Sequence, residues 1–174
     1  KQMFVYQAMG YELPIFAHVP MIHGKNGKMS KRDGATNVLE YKEAGFLPEA
    51  LNNYLMRLGW SLGDEEVISM ERATEHFDIN NVNKSASVFD QVKLEWFNAQ
   101  YIRELNAEQL LTHLEYFFTK EGLTLNDTIR GYLLNGGINA VKNKAKKLPD
   151  LVKALEFFFK APPFNFEEKE VSIL

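Results

Sequence analysis

A mainly α-helical chain with a short mixed start is the architecture this sequence predicts, and three observations predict it. Apolar side chains recur at helical spacing through most of the chain beyond residue 45. Residues that start and stop helices bracket those stretches. The strand-like apolar run Leu13–Ile22 and a glycine-flanked basic loop both fall within the first forty residues.

The elements follow in order. Phe4-Val5-Tyr6-Gln7-Ala8-Met9 reads as helix, closed by Gly10. Because the chain opens on Lys1 inside that run, it reads as a piece of a longer protein. Pro48 suits a helical start, Leu51, Tyr54, Leu55 and Leu58 follow at i, i+3, i+4 and i+7, and Gly59 is the stop. Gly63-Asp64 turns the chain. Ser69 precedes a shorter helix over 70–77, and Asp90 caps one carrying Leu94 and Phe97. Asn106 with Gln109 makes a capping box for the helix of Leu110, Leu114, Phe117 and Phe118, which Gly122 ends. A helix over 126–134 should break at Gly136-Gly137. After a lysine-rich segment, Pro149 opens a helix bearing Leu151, Leu155, Phe158 and Phe159, which Pro162-Pro163 closes. The triplet Phe157-Phe158-Phe159, like Trp60 and Trp96, fits core packing better than base stacking.

Composition excludes several classes. With 174 residues, 45% of them hydrophobic, the chain can bury a sizeable core. A net charge of −3 is not that of a nonspecific nucleic-acid binder, so any RNA contact must come from a local patch. No apolar run is long enough to span a bilayer, and no membrane partner is expected. The absence of cysteine rules out disulfides and thiolate metal sites, and is compatible with the cytoplasm.

The most informative segment is Gly27-Lys28-Met29-Ser30-Lys31-Arg32-Asp33-Gly34. Two lysines three residues apart can reach different oxygens of one triphosphate, and the glycines let such a loop open and close. On spacing alone, a solvated basic turn remains the alternative. The wording goes further. Lys28-Met29-Ser30-Lys31-Arg32 matches the second signature motif of class I aminoacyl-tRNA synthetases, in the form that resembles the glutamyl-tRNA synthetases of bacterial type. The preceding Ile15–Ile22, the following Gly34-Ala35-Thr36 and Val38–Tyr41, then Gly45–Leu55, Leu58–Ser61, Trp96-Phe97-Asn98 and Tyr101–Leu105 resemble that family in the same order.

Two departures accompany the resemblance. The earlier His-x-Gly-His-type motif of the class is absent among the histidines at 18, 23, 76 and 113, and Asp33 stands where a histidine commonly follows the signature. The resemblance implies the end of a Rossmann-type catalytic domain over 1–39, a helical stem-contact domain over 40–106, and the start of a helical anticodon-binding region over 107–174. It also implies ATP-dependent ligation of glutamate to tRNA, with the amino-acid pocket upstream of Lys1 and this chain inactive alone. A stand-alone tRNA-binding or assembly module is the rival reading.

Site residues follow from the same resemblance. Lys31 would contact the ATP phosphates in the transition state, with Lys28 assisting as the second catalytic lysine. Met21, Ile22, Met29, Ser30 and Arg32 would complete ATP binding together with those lysines, and Mg²⁺ would arrive with ATP. Adenylation needs no general base, because the attacking carboxylate is already ionised, so His18 and His23 take no acid–base role. No metal ligands are expected among these residues.

The second candidate is Lys142-x-Lys144-x-Lys146-Lys147, four lysines in six residues. Such a cluster suits RNA phosphates, or equally a solvated helix end. In the resembling family a comparable segment bears on anticodon reading through a middle arginine, at the position Lys144 would take. Lysine lacks the planar fork of arginine, which leaves room for tRNA-Gln beside tRNA-Glu. A monomer is the simplest expectation.

Overall fold

The computed structural model describes residues 1–24, 27–28 and 37–160. It is mainly helical with one small sheet. Helix α1 (Gln2–Ala8) ends as expected: Gly10, at φ +71°, sends its N–H to the Gln7 carbonyl, and the Tyr11 N–H reaches Tyr6. None of its residues is buried.

The expected strand over 13–22 shrinks to its last residue. Strand β1 is Ile22–Gly24, and residues 11–21 run without a ladder partner among the described residues. Pro14 and Pro20 lack the N–H a ladder needs, and Ile15 is 96% exposed. Strand β1 pairs antiparallel with β2 (Gly27–Lys28), in the register His23 to Lys28, and parallel with β3 (Ser87–Val88), in the register Ile22 to Ser87. Two flanking strands thus use both edges of one three-residue strand.

Beyond residue 37 the caps decide the helices. Helix α2 (Val38–Glu43) is capped by Asn37, whose side chain accepts from the Leu39 N–H. Helix α3 (Pro48–Gly59) begins on its proline and buries Ala50, Leu51, Asn53 and Tyr54. Leu55, expected on that face, is instead 38% exposed, because the buried stripe turns toward Ala50 and Asn53. Ser69 caps α4 (Met70–His76), and the Asp90 carboxylate accepts from Val92 and Lys93 at the start of α5 (Gln91–Glu104). The capping box of α6 (Ala107–Lys120) is complete: Asn106 accepts from Gln109 N–H at 2.9 Å, and Gln109 accepts from Asn106 N–H at 3.0 Å.

The glycine pair breaks the helical path, as the sequence predicts. Helix α7 (Asp127–Tyr132) runs on to a kink where Asn135 (φ −79°, ψ 21°) and Gly136 (φ +133°) leave helical geometry, and winding resumes in α8 (Ile138–Val141). A 3₁₀ turn over Lys142–Lys144 precedes α9 (Leu148–Leu155), and another over Glu156–Phe159 follows it. Residues 161–174, with the Pro162-Pro163 stop, lie outside the described residues.

Three apolar clusters hold these elements. The largest joins Leu47, Ala50 and Ile102 to Leu110, Leu114 and Phe118 of α6 and to Leu151 and Leu155 of α9. It is continuous across residue 106. An aromatic cluster contains Tyr41, Phe46, Leu51, Tyr54, Phe89, Leu94 and Phe97, with Ile22 packed against it. Trp60, Ile68 and Ala73 form the third. Trp60 is buried as expected, but Trp96 is 43% exposed, and Phe157 is 51% exposed while Phe158 and Phe159 pack on the main core. A helix has one inward stripe, and each of these two aromatics sits beside a neighbour that takes it.

Candidate functional site

The basic signature begins on β2 and the chain returns at Asn37, so its two ends are held by defined elements. At the start, the His23 carbonyl accepts from Phe89 N–H at 2.7 Å, which ties β1 to the strand leading into α5. Ile22 then turns its side chain onto the aromatic cluster. At the far end, α2 buries Tyr41 in that same cluster, with its ring 6.2 Å from Phe89 and 5.9 Å from Phe46. Both anchors therefore rest on one body. Met21, just before β1, is 59% exposed, while Ile22 is partly buried. Met29, Ser30, Lys31 and Arg32, and the side chain of Lys28, lie outside the described residues.

On its outer side α2 is latched to α6. Glu43 accepts from the Tyr116 hydroxyl through Oε1 and from Lys120 Nζ through Oε2 at 2.7 Å. These bonds, that from Lys120 foremost, hold the Glu43 carboxyl below its ordinary range. Lys42 Nζ also lies 5.3 Å from the centre of the Tyr116 ring. An apolar cleft of about 410 Å³, lined in part by Leu39, Phe46, Thr112 and His113, separates the two helices beside this latch.

The four lysines of the second candidate do not share one environment. Lys142 Nζ donates to the Leu105 carbonyl at 2.8 Å, capping the end of α5. Lys147 Nζ lies 3.3 Å from Glu95 Oε1 and 5.7 Å from the Phe46 ring centre, and Lys146 Nζ stands 4.0 Å from Glu95 Oε2. Helix α5 thus supplies a carboxylate that the lysine segment itself lacks. Lys144 is exposed and has no ion-pair partner among the described residues. Backbone N–H groups of Lys146 and Lys147 both donate to Asp150 Oδ2, at 3.0 and 2.9 Å, fixing this segment at the head of α9.

The sequence pattern of the family described as tRNA synthetases class I (E and Q), catalytic domain, matches residues 1–96. The chain belongs to this family. Glutamate–tRNA ligase 2 of a Nitratiruptor species is 46% identical over 172 residues, covering 98% of this chain and 36% of the relative. Its namesake in Halorhodospira halophila is 44% identical over 170 residues, covering 97% and 35%. The crystal structure of a glutamate tRNA ligase from Elizabethkingia meningosepticum in complex with its amino acid superposes with a TM-score of 0.73 at 32% identity, covering 98% of this chain and 37% of that one. The chain spans a little over a third of the length of the curated relatives it matches.

His18 is exposed and lines a cleft with Asn80, Asn83 and Lys84, and His23 sits within β1. His76 Nδ1 lies 3.0 Å from the Arg72 carbonyl. Among the described residues no group of three His, Asp or Glu side chains is arranged to hold a metal ion, and no helix is long and apolar enough to cross a membrane. Sequence reasoning passed over Glu43 and Glu95, and met Asn98 only within the Trp96-Phe97-Asn98 resemblance without giving it a role. Asn98 did carry a signal: it is the polar residue on a stripe otherwise made by Leu94, Phe97 and Ile102.

Proposed function

We propose that the protein is a glutamate–tRNA ligase that forms glutamyl-adenylate from glutamate and ATP and transfers the glutamyl group to tRNA. The alignment of nearly the whole chain with glutamate–tRNA ligases, with Lys28-Met29-Ser30-Lys31-Arg32 intact, carries this reading. Residues 1–39 serve the catalytic domain, 40–106 contact the tRNA stem, and 107–174 begin the anticodon-binding region. The amino-acid pocket belongs to the part of the catalytic domain beyond these residues. Eleven large apolar side chains between Met3 and Met21 are exposed here, a surface suited to packing against that part.

In this reading the glutamate carboxylate attacks the α-phosphorus of Mg²⁺–ATP and pyrophosphate leaves. Negative charge grows on phosphate oxygens, and Lys31, assisted by Lys28, offsets it; Ser30 and Arg32 shape the loop and contact phosphate, and Met21, Ile22 and Met29 border the adenosine. A loop whose two flanks rest on one aromatic body gives up less conformational freedom on binding ATP than a free one. The lysine segment 142–147 attracts tRNA phosphate, with Lys144 as its outward charge. A point charge reads base edges less selectively than an arginine fork, so tRNA-Glu and tRNA-Gln are both accepted.

The test is Lys31→Ala in the intact protein, assayed by ATP–pyrophosphate exchange with glutamate and tRNA present. Loss of one transition-state donor lowers the rate about a hundredfold, with tRNA affinity retained. Unchanged exchange would remove Lys31 from the reaction, and an intact wild-type protein without any exchange would remove the ligase reading.

A further inference from the structure

The sequence holds two Asn-Gly pairs, and Asn135-Gly136 stands at the kink between α7 and α8. Asn135 leaves helical geometry at ψ 21°, and Gly136 takes φ +133°. The asparagine is exposed, and its side chain makes no hydrogen bond among the described residues. A Cβ at Gly136 would meet nothing within 4 Å, so the pair opens onto solvent. By contrast, Asn53 and Asn98 are buried and hydrogen-bonded, and Asn37, Asn106 and Asn126 cap helices through their side chains.

We infer that Asn135-Gly136 is a self-modification site, at which the asparagine deamidates and leaves a carboxylate ahead of the lysine segment. Solvent hydroxide removes the Gly136 N–H proton, and the nitrogen attacks Asn135 Cγ. A bond from Gly136 N to Cγ forms, the Cγ–Nδ2 bond breaks, and ammonia departs with a proton from water, leaving a five-membered succinimide. Water then opens the ring at either carbonyl, giving aspartate or isoaspartate. Water is the only co-reactant, and nothing is oxidised. The glycine has no side chain to obstruct its nitrogen. A helical ladder would hold both the asparagine ψ and the N–H that follows it, whereas a residue outside helical geometry can turn toward closure.

The product acts in two ways. It adds a negative charge seven residues before Lys142 in the chain. Isoaspartate also lengthens the backbone by a methylene, and the kink has no slack for it. Leu133 and Ile138 on its two sides are fully buried in the main core, and a Cβ at Gly137 would lie 3.1 Å from Phe158 Cε2. Both changes weaken RNA-phosphate binding at residues 142–147, a consequence that rests on the function proposed above, whereas the chemistry does not.

The experiment incubates the intact protein for days at mildly alkaline pH, digests it with trypsin and weighs the peptide 131–142 by mass spectrometry. That peptide should gain about one dalton, faster as pH rises, with fragment ions placing the gain at residue 135 and an isoaspartate methyltransferase labelling it. In Asn135→Gln, whose ring closure is six-membered and slow, the gain should vanish. No gain in the native protein while the free synthetic peptide converts would overturn the inference, because the fold would then shield the pair. Asn135→Asp supplies the charge alone, and should bind a tRNA-Glu transcript about twofold more weakly at low salt, with aged wild type weaker still. Wild-type affinity in both would overturn the effect on RNA even if the intact protein charges tRNA. A mass gain in a protein that charges no tRNA would instead sink the ligase reading and leave the modification standing.

Discussion

Tyr101 sits where the polar interior of the protein is most sensitive to alkali. Its hydroxyl donates to Asn53 Oδ1 at 3.0 Å and lies 3.3 Å from the Ile68 carbonyl, while Asn53 also holds Ile68 N–H and the Glu66 carbonyl. Burial, followed by the nearby Glu104, Glu49 and Glu71 carboxylates, pushes its pKa from 10.0 up to about 12. A folded pKa raised above the unfolded one means that the fold favours the neutral phenol. The stabilisation is whole below pH 10 and is lost as pH rises from 10 through 12. Spectrophotometric titration should therefore show one tyrosine ionising near pH 12, and Tyr101→Phe should delete that phase and flatten the alkaline loss of stability. An unchanged titration would mean that the phenol is not enclosed. The lysines make the same point about residue identity: alike in sequence, Lys142 closes a helix end while Lys144 stands in solvent. Lys144→Ala should weaken tRNA binding and reduce its salt slope by about one. Lys142→Ala should instead lower the melting temperature, since it strips the cap from Leu105.

At the level of elements, helices with punctuation were legible and contacts made across the chain were not. Asn106 with Gln109, Ser69, Asp90 and Pro48 announce their helices because capping is local chemistry, settled within four residues. Asn37 with Glu40 offers the same signal for α2, a helix the sequence reading passed over. A strand needs a neighbour, and the run 13–21 has none among the described residues, so its apolar pattern did not make one. The charge of the lysine segment was equally nonlocal, because Glu95 reaches Lys146 and Lys147 from α5, roughly fifty residues earlier. In the function proposed above, Glu95 would compete with RNA phosphate for these two lysines. Glu95→Gln should tighten tRNA binding at low salt and steepen the salt dependence, measured by filter binding across an ionic-strength series. Binding that weakens instead would show that Glu95 orients the lysines for RNA and does not shield them.

Across the whole molecule, the three segments of the proposed function need not be three folding units. The signature motif and the ordered family resemblance were readable because they are strings, whereas the way the main core gathers Leu47, Ala50 and Ile102 with α6 and α9 depends on packing that no string displays. That core crosses residue 106, and Asn98 adds a hydrogen bond to the Lys146 carbonyl over the same join. Cooperativity should follow the core. Leu114 is fully buried on α6, and Leu114→Ala removes side-chain contacts worth about 2–5 kcal/mol. In native-state hydrogen exchange on the intact protein, amides of α3 and α5 that open with the core should lose protection by the same free energy as those of α6. If protection fell only beyond residue 106, that position would divide two folding units, and RNA docking on the second could not be transmitted to the loop through a shared core. Equal loss on both sides would make the helical body one rigid part. Such a part transmits a displacement at the lysine segment to α2 without a dedicated hinge, because Tyr41 and Phe46, which hold the loop's far end, share one cluster with Phe97 and Leu94 on the helix that carries Asn98.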